Sequence, residues 1–193
     1  MKSLTQRNSN QMAQKPVIST IRLGPGRLSF PSLIEPSSFN GGDEKYTTTL
    51  LLPPTFDVAP LLKALNDLCV EVWGKDMKKW PANARRPESV VRRAEEKEHM
   101  AGYERGWHFV SASSKDKPAI VDASLEPVTD PRAVYAGRWA NISVRPFCYN
   151  NIGVGVSLGL GNVQLLKHDG AFGRTSAAQD FDQVVEEMEE DGF

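Results

Sequence analysis

Apolar and polar side chains alternate along most of this chain, a pattern that is typical of β-strands. The predicted strands cover residues 17–23, 27–30, 45–52, 107–113, 119–121, 134–149 and 154–167. Gly24-Pro25-Gly26 predicts a turn between the first two strands, and Pro53-Pro54 ends the third. Extended structure therefore dominates the chain.

One segment departs from this alternation and predicts a helix. Asp57 can cap its start, apolar residues recur at helical spacing from Val58 to Trp73, and Gly74 ends it. A stripe this regular normally packs into the core, so we interpret the helix as a structural element.

The longest predicted strand, residues 134–149, has two unlike faces. Its apolar face consists of Ala140, Ile142, Val144, Pro146 and Cys148. Its other face carries rings, an arginine and small polar groups, namely Trp139, Asn141, Ser143, Arg145, Phe147 and Tyr149. In the next strand, apolar residues alternate with glycines and a serine, which leaves one face open to close backbone approach or tight bending.

Short strands, strong bends and a single helix predict a mainly β fold. The architecture that fits is an OB-fold-like five-stranded barrel with one main helix, formed by residues 16–172. Residues 1–15 contain too few apolar side chains to offset the entropy of ordering, so we predict a disordered N-terminus. Residues 173–193 are predicted to form a flexible acidic tail.

The charges of this chain are divided between its body and its end. Residues 180–193 hold seven of the 24 acidic residues and none of the 23 basic ones. The body therefore has a formal charge of +6 and the tail −7, which predicts that the body seeks polyanions and that the tail can compete with them.

Apolar residues interrupt the acidic tail, which a purely solubilising terminus would not require. We interpret the tail as a docking element for partner proteins, while a solubilising role is the alternative. The residues predicted to bind the partner are Asp180, Phe181, Asp182, Glu186, Glu187, Glu189, Glu190, Asp191 and Phe193.

Residues 75–106 hold nine basic and six acidic side chains, which indicates either a solvated insertion or a binding arm. No apolar run reaches the roughly 18 residues that span a bilayer, and the N-terminal residues lack the apolar region typical of a signal peptide, so we expect a cytoplasmic protein. Cys69 and Cys148 are expected to be buried thiols. No metal-ligand spacing or phosphate-binding glycine motif occurs, so neither a metal nor a cofactor is predicted.

Positive charges and aromatic rings are interleaved in the second half of the body. Rings can stack on bases while cations follow the phosphates, and sequence-tolerant binding of single strands requires both. The residues predicted to bind DNA are Tyr103, Arg105, Trp107, Lys115, Lys117, Arg138, Trp139, Arg145, Phe147 and Tyr149.

The chain also resembles the single-stranded DNA-binding proteins of tailed bacteriophages. The resemblance covers about residues 16–181, is strongest from residue 103, and is carried by residues 117–122, 135–142, 149–164, Asp169-Gly170 and Asp180-Phe181. It implies an OB fold, no enzymatic activity, and coating of single strands during phage replication and recombination. It further implies that the acidic tail docks replication or recombination proteins.

We therefore predict a non-catalytic, single-stranded DNA-binding protein of a bacteriophage, acting in the host cytoplasm. A homodimer is left open. A protein–protein adaptor is one alternative, and it would show no salt-dependent affinity for DNA. A metal-dependent nucleic-acid enzyme using Asp43, Asp122 and Asp130 is the other, and it would cleave DNA only with a divalent metal.

Overall fold

Five strands close into a barrel in a computed structural model that describes residues 19–38, 41–151 and 153–173. The predictions for residues 1–15 and for the acidic tail beyond Gly173 lie outside the described residues. The elements are β1 (Ile21–Ser37), β2 (Lys45–Leu52), α1 (Ala59–Trp73), β3 (Arg92–Arg93), β4 (His108–Ser114), β5 (Ile120–Val121), β6 (Trp139–Tyr149) and β7 (Gly155–Leu165).

The barrel strands pair in the order β4, β2, β1, β6 and β7, all antiparallel. A parallel contact between β4 and β7, at Ser113 and Gly159, closes the circle. The two-residue strands β3 and β5 add to β4 and β7 respectively. A closed five-stranded barrel, with one α-helix among the described residues, confirms the mainly β, OB-like fold that the sequence predicts.

The barrel interior is lined by the apolar positions that the alternation predicts. On β6, Ala140, Ile142 and Val144 are fully buried, whereas Arg145 and Phe147 are exposed. The predicted register of this strand is therefore confirmed.

The predicted helix is also confirmed. α1 packs against β6 through Leu61, Leu65, Leu68 and Cys69. The Asp57 carboxylate accepts a hydrogen bond from the Ala59 N–H at 2.9 Å, and Gly74 ends the helix with φ 88°.

Two of the predicted boundaries are wrong. Gly24–Gly26 is not a turn between strands, because Leu23 and Gly26 both pair with β6 within one continuous strand. The extra residue between them is absorbed by a register shift, as in a β-bulge. β6 begins at Trp139 rather than at residue 134, because a 3₁₀ turn at Pro131–Ala133 precedes it and Gly137 has φ 103°.

The charged segment 75–106 is packed on the barrel, so it is not a solvated insertion, while its role as a binding arm stays a prediction. Its 3₁₀ turns bury Trp80, Val90 and Ala94 against the barrel. The backbone of Arg85 forms hydrogen bonds with Val154 and Val156 at the start of β7. Farther along, β3 pairs with the start of β4. The segment therefore lies between the beginnings of β4 and β7, which are paired only through Ser113 and Gly159 among the described residues.

A second apolar cluster lies on the outer face of β2 and β4. Its buried members are Leu51, Ala94, Tyr103 and Phe109, and Met100, Trp107 and Phe172 pack against them. Residues 166–173, which we call the C-terminal strap, reach this cluster through Phe172. Part of the outer barrel surface is thus covered by residues 94–107 and by the strap.

Candidate nucleic-acid interface

A groove of about 330 Å³ lies on the outer face of β6 and β7. Arg145 and Phe147 form one side, and the Phe147 side chain is 40% exposed. They pair across the sheet with Gly159 and Ser157, so no large side chain rises opposite them. The remaining lining includes Ser114, Asp116, Ser143, Gly161 and Asn162. We call this the β6–β7 groove.

The glycines of β7 have different roles. A Cβ at Gly155 would lie 2.6 Å from Arg85 Cβ, and a Cβ at Gly161 would lie 2.5 Å from Ser143 Oγ. These two positions need glycine for close packing. A Cβ at Gly159 would meet Phe147 ring atoms only at 3.9 Å, an ordinary contact. Gly159 therefore keeps open the space beside the Phe147 ring.

Two predicted stacking residues, Phe147 and Tyr149, lie together at this end of β6. Their ring centroids are 6.3 Å apart with an interplanar angle of 54°. Tyr149 is half-buried beside Arg85, whereas Phe147 is the more accessible ring. Arg145 supplies a positive charge two residues before Phe147 on the same face. The arrangement can stack a base and hold an adjacent phosphate.

Lys115 and Lys117 flank Asp116, one of the groove residues, on the exposed loop that follows β4. The Lys115 ammonium is 2.7 Å from the Asp43 carboxylate, on the loop between β1 and β2. The hydrogen bond between them raises the pKa of Lys115 and lowers the pKa of Asp43. Lys115 thus stays charged next to the groove.

Trp107 and Trp139 form a separate group at the other end of β6. Their ring centroids are 6.2 Å apart, and Lys167 Nζ lies 4.8 Å from the Trp139 ring. The Trp139 indole N–H donates to Asp169 Oδ2 at 2.8 Å, and this bond is the main cause that lowers the pKa of Asp169. With the strap carboxylate at its edge, Trp139 is less suited than Phe147 to receive a nucleotide.

Two of the predicted DNA-binding residues lie in the interior, which corrects the prediction for them. Tyr103 is 4% exposed, packs edge-on against Phe109 at 5.3 Å, and donates a hydrogen bond to Ser29 Oγ. Arg138 is 7% exposed, donates to the Leu166 carbonyl at 2.7 Å, and also bonds His168. Neither side chain has a free surface, and both stabilise packing. Arg105 is exposed, in the turn before Trp107.

Sequence reasoning missed Phe30, which is 60% exposed on β1 and has φ 47°. Its neighbour Pro31 gave a signal, because a proline inside a strand marks an edge or a bulge.

Arg27 was also missed. Its guanidinium lies 4.3 Å from the centre of the Phe172 ring and 3.6 Å from the Asp169 carboxylate, so it fastens the strap to β1.

The carboxylates of the enzyme alternative lie apart, each with local partners. Asp43 pairs with Lys115, Asp122 accepts from the N–H groups of Ser124 and Glu126, and Asp130 pairs with Arg132. Within residues 19–38, 41–151 and 153–173, no three His, Cys, Asp or Glu side chains lie together as metal ligands would.

Both cysteines are free thiols. Cys69 is fully buried and Cys148 is half-buried, and burial raises the pKa of the Cys69 thiol to about 12. A thiol with that pKa stays protonated, and therefore weakly nucleophilic, at neutral pH.

None of the helices in the described part of the chain is long and apolar enough to cross a membrane.

Among solved structures, the single-stranded DNA-binding protein from bacteriophage Enc34 in complex with ssDNA is similar in fold. It aligns with a TM-score of 0.63 at 21% identity, covering 80% of this chain and 89% of that one. The single-stranded DNA-binding protein gp2.5 encoded by bacteriophage T7 aligns with a TM-score of 0.56 at 14% identity, covering 91% and 98%. These likenesses support the barrel architecture.

Sequence comparison identifies the family of the chain, in addition to its fold. Protein p50 of Acyrthosiphon pisum secondary endosymbiont phage 1 is 33% identical over 180 residues, covering 89% of this chain and 97% of the relative. The family model described as "Enterobacter phage Enc34, ssDNA-binding protein" matches residues 19–193. The chain therefore belongs to the bacteriophage family of single-stranded DNA-binding proteins represented by that of Enterobacter phage Enc34.

Proposed function

We propose that this protein coats single-stranded DNA, without sequence preference and without catalysis, during phage replication and recombination in the host cytoplasm. The observation that carries the proposal is the β6–β7 groove, where the exposed Phe147 ring and Arg145 lie opposite the small residues Ser157 and Gly159 of β7. A ring offers any base a stacking surface, and a cation offers any phosphate a partner. Lys117 adds a positive charge near its rim, where Lys115 is paired with Asp43 and Asp116 lines the groove. The related Enc34 protein was solved in complex with ssDNA.

Affinity for single-stranded DNA is expected to fall steeply as salt increases. Each neutralised phosphate contributes a slope of about −0.7 to log K against log [salt]. Fluorescence anisotropy with labelled dT20 and with a duplex of equal length, at several salt concentrations, measures this. A flat salt response, or equal affinity for the duplex, would contradict the proposal.

The acidic tail supports a second part of the proposal. We propose that residues 180–193 compete with DNA for the basic body, and that Phe193 docks a replication or recombination protein. The tail carries −7 and the rest of the chain +6, and a segment tethered to its target acts at high effective concentration. The terminal aromatic residue supplies specificity that charge alone cannot.

Deleting residues 175–193 is expected to tighten binding to dT20, and more so at low salt, where screening is weakest. The matched control deletes Phe193 alone, which leaves all seven carboxylates in place. That control should bind DNA as the full chain does, yet lose capture of a phage or host replication protein. Unaltered affinity of the truncated chain at low salt would favour the solubilising role instead.

A further inference from the structure

Strand pairing aligns small and polar residues in one row across the barrel. Ser32 pairs with Thr47, Thr47 with Ser113, Ser113 with Gly159, and Gly159 with Arg145. All five positions retain exposed surface. We call this row the lane. It runs from β1 over β2, β4 and β7 to the Arg145 side of the β6–β7 groove.

The neighbouring row is covered at its β1 and β2 positions, which gives that end of the lane a wall, whereas Ser111, the next position of the row on β4, is exposed. Ser29 and Thr49, paired with each other, are only 3% and 8% exposed. The Tyr103 hydroxyl bonds Ser29 Oγ, so residues 94–107 form this wall. Lys115 follows Ser113 by two residues and lies near the lane. The short side chains of the lane leave room for a sugar-phosphate backbone to approach the strands closely. Lys115 lies near enough to this path to contact a phosphate.

Phe30 lies at the β1 end of the lane, within the register shift between Ser29 and Ser32. Its φ of 47° disfavours any residue that has a Cβ, and yet the position holds a ring that is 60% exposed. A strained residue that adds nothing to the core suggests a role in function. Phe30 and Phe147 are the exposed phenylalanines of the described residues, and they lie at opposite ends of the lane.

We propose that Phe30 is a second base-stacking residue and that bound single-stranded DNA crosses the barrel along the lane, from Phe147 to Phe30. This inference rests on the proposed function. Four strand spacings of about 4.8 Å make the lane roughly 19 Å long. Stacked nucleotides at about 3.4 Å each would number about six, within the range of about 4–16 known for OB folds.

The test is Phe30→Gly, with affinity for dT12 and thermal stability measured on the full chain. Loss of one stacking ring should weaken binding about 5- to 150-fold. Because glycine accepts positive φ, the melting temperature should stay the same or rise. The matched control is Leu125→Gly, since Leu125 is 69% exposed with φ 68° but lies beyond β5, away from the lane. Like Phe30→Gly, the Leu125→Gly variant should keep or raise the melting temperature, but it should leave DNA affinity unchanged.

The outcomes separate this inference from the proposed function. If the unmodified chain binds dT12 and Phe30→Gly binds equally well, Phe30 is not a stacking residue, while the proposed function stands. If Phe30→Gly changes only cooperativity on long DNA, Phe30 contacts a second copy of the chain and the inference is overturned. If the unmodified chain fails to bind single-stranded DNA at all, the proposed function itself fails.

Discussion

Phe147→Ala is expected to weaken binding of single-stranded DNA by about 1–3 kcal/mol, the usual contribution of one base stacked on an aromatic side chain. Phe147 is 40% exposed, and the residue facing it across the sheet is Ser157, so its loss removes a stacking surface and leaves no cavity in the core. Anisotropy titration with labelled dT12 at fixed salt measures the change. Circular dichroism should show an unaltered fold.

The matched control for this variant is Val72→Ala. Val72 is 48% exposed on α1, outside the groove, so its truncation removes exposed apolar area without touching the interface. Its DNA affinity should equal that of the unmodified chain. If Phe147→Ala also binds normally, its ring stacks on no base, and the groove does not hold DNA in the way proposed.

Gly102→Ala is expected to lower the free energy of unfolding by about 2–4 kcal/mol, through overpacking together with a strained backbone. A Cβ at this position would lie 2.2 Å from an atom of the Phe172 ring, and Gly102 has φ 85°. Phe172 cannot retreat freely, because Arg27 lies over its ring at 4.3 Å and its N–H donates to the Ala136 carbonyl. Urea denaturation measures the loss.

Gly41→Ala isolates the backbone contribution to that loss. Gly41 has φ 73°, and a Cβ at this position would meet no atom within 4 Å, so only about 1 kcal/mol of conformational strain is expected there. Adding Phe172→Ala to Gly102→Ala should recover part of the difference, because the two residues are in contact. Equal losses at positions 41 and 102 would mean that the strap does not press on Gly102.

The barrel was predictable because apolar residues alternate with polar ones or glycine along its longest segments, most regularly along β6. On β6 the even-numbered apolar residues face the core and the odd-numbered residues face outward, as the sequence indicates. The helix was equally clear from its spacing and its ends. The supposed turn at Gly24–Gly26 failed because Gly and Pro favour bulges as well as turns, and local sequence does not distinguish the two.

The candidate interface was only partly predictable, because long-range packing decides which rings are exposed. Phe147 and Arg145 lie on the outward face of β6, as the alternation indicates, while their binding of DNA stays a prediction. Tyr103 has the same local signature but is buried, since residues 94–107 fold over the outer face of β2 and β4. Phe30 escaped notice for the opposite reason. It follows the alternation of a strand residue, and apart from the neighbouring Pro31 nothing local indicates the register shift at which its ring is exposed.

The segment between α1 and β4 has the composition of a dispensable linker, but its backbone completes the barrel where β4 and β7 do not pair. A parallel pair that meets at a single position cannot seal a barrel, and Arg85 and β3 provide the missing backbone partners on either side. Variation in its length should therefore be confined to stretches that make no such bonds. A shortened version of this domain that lacked this segment would keep its five barrel strands but lose β3 and the backbone bonds that close the barrel between β4 and β7.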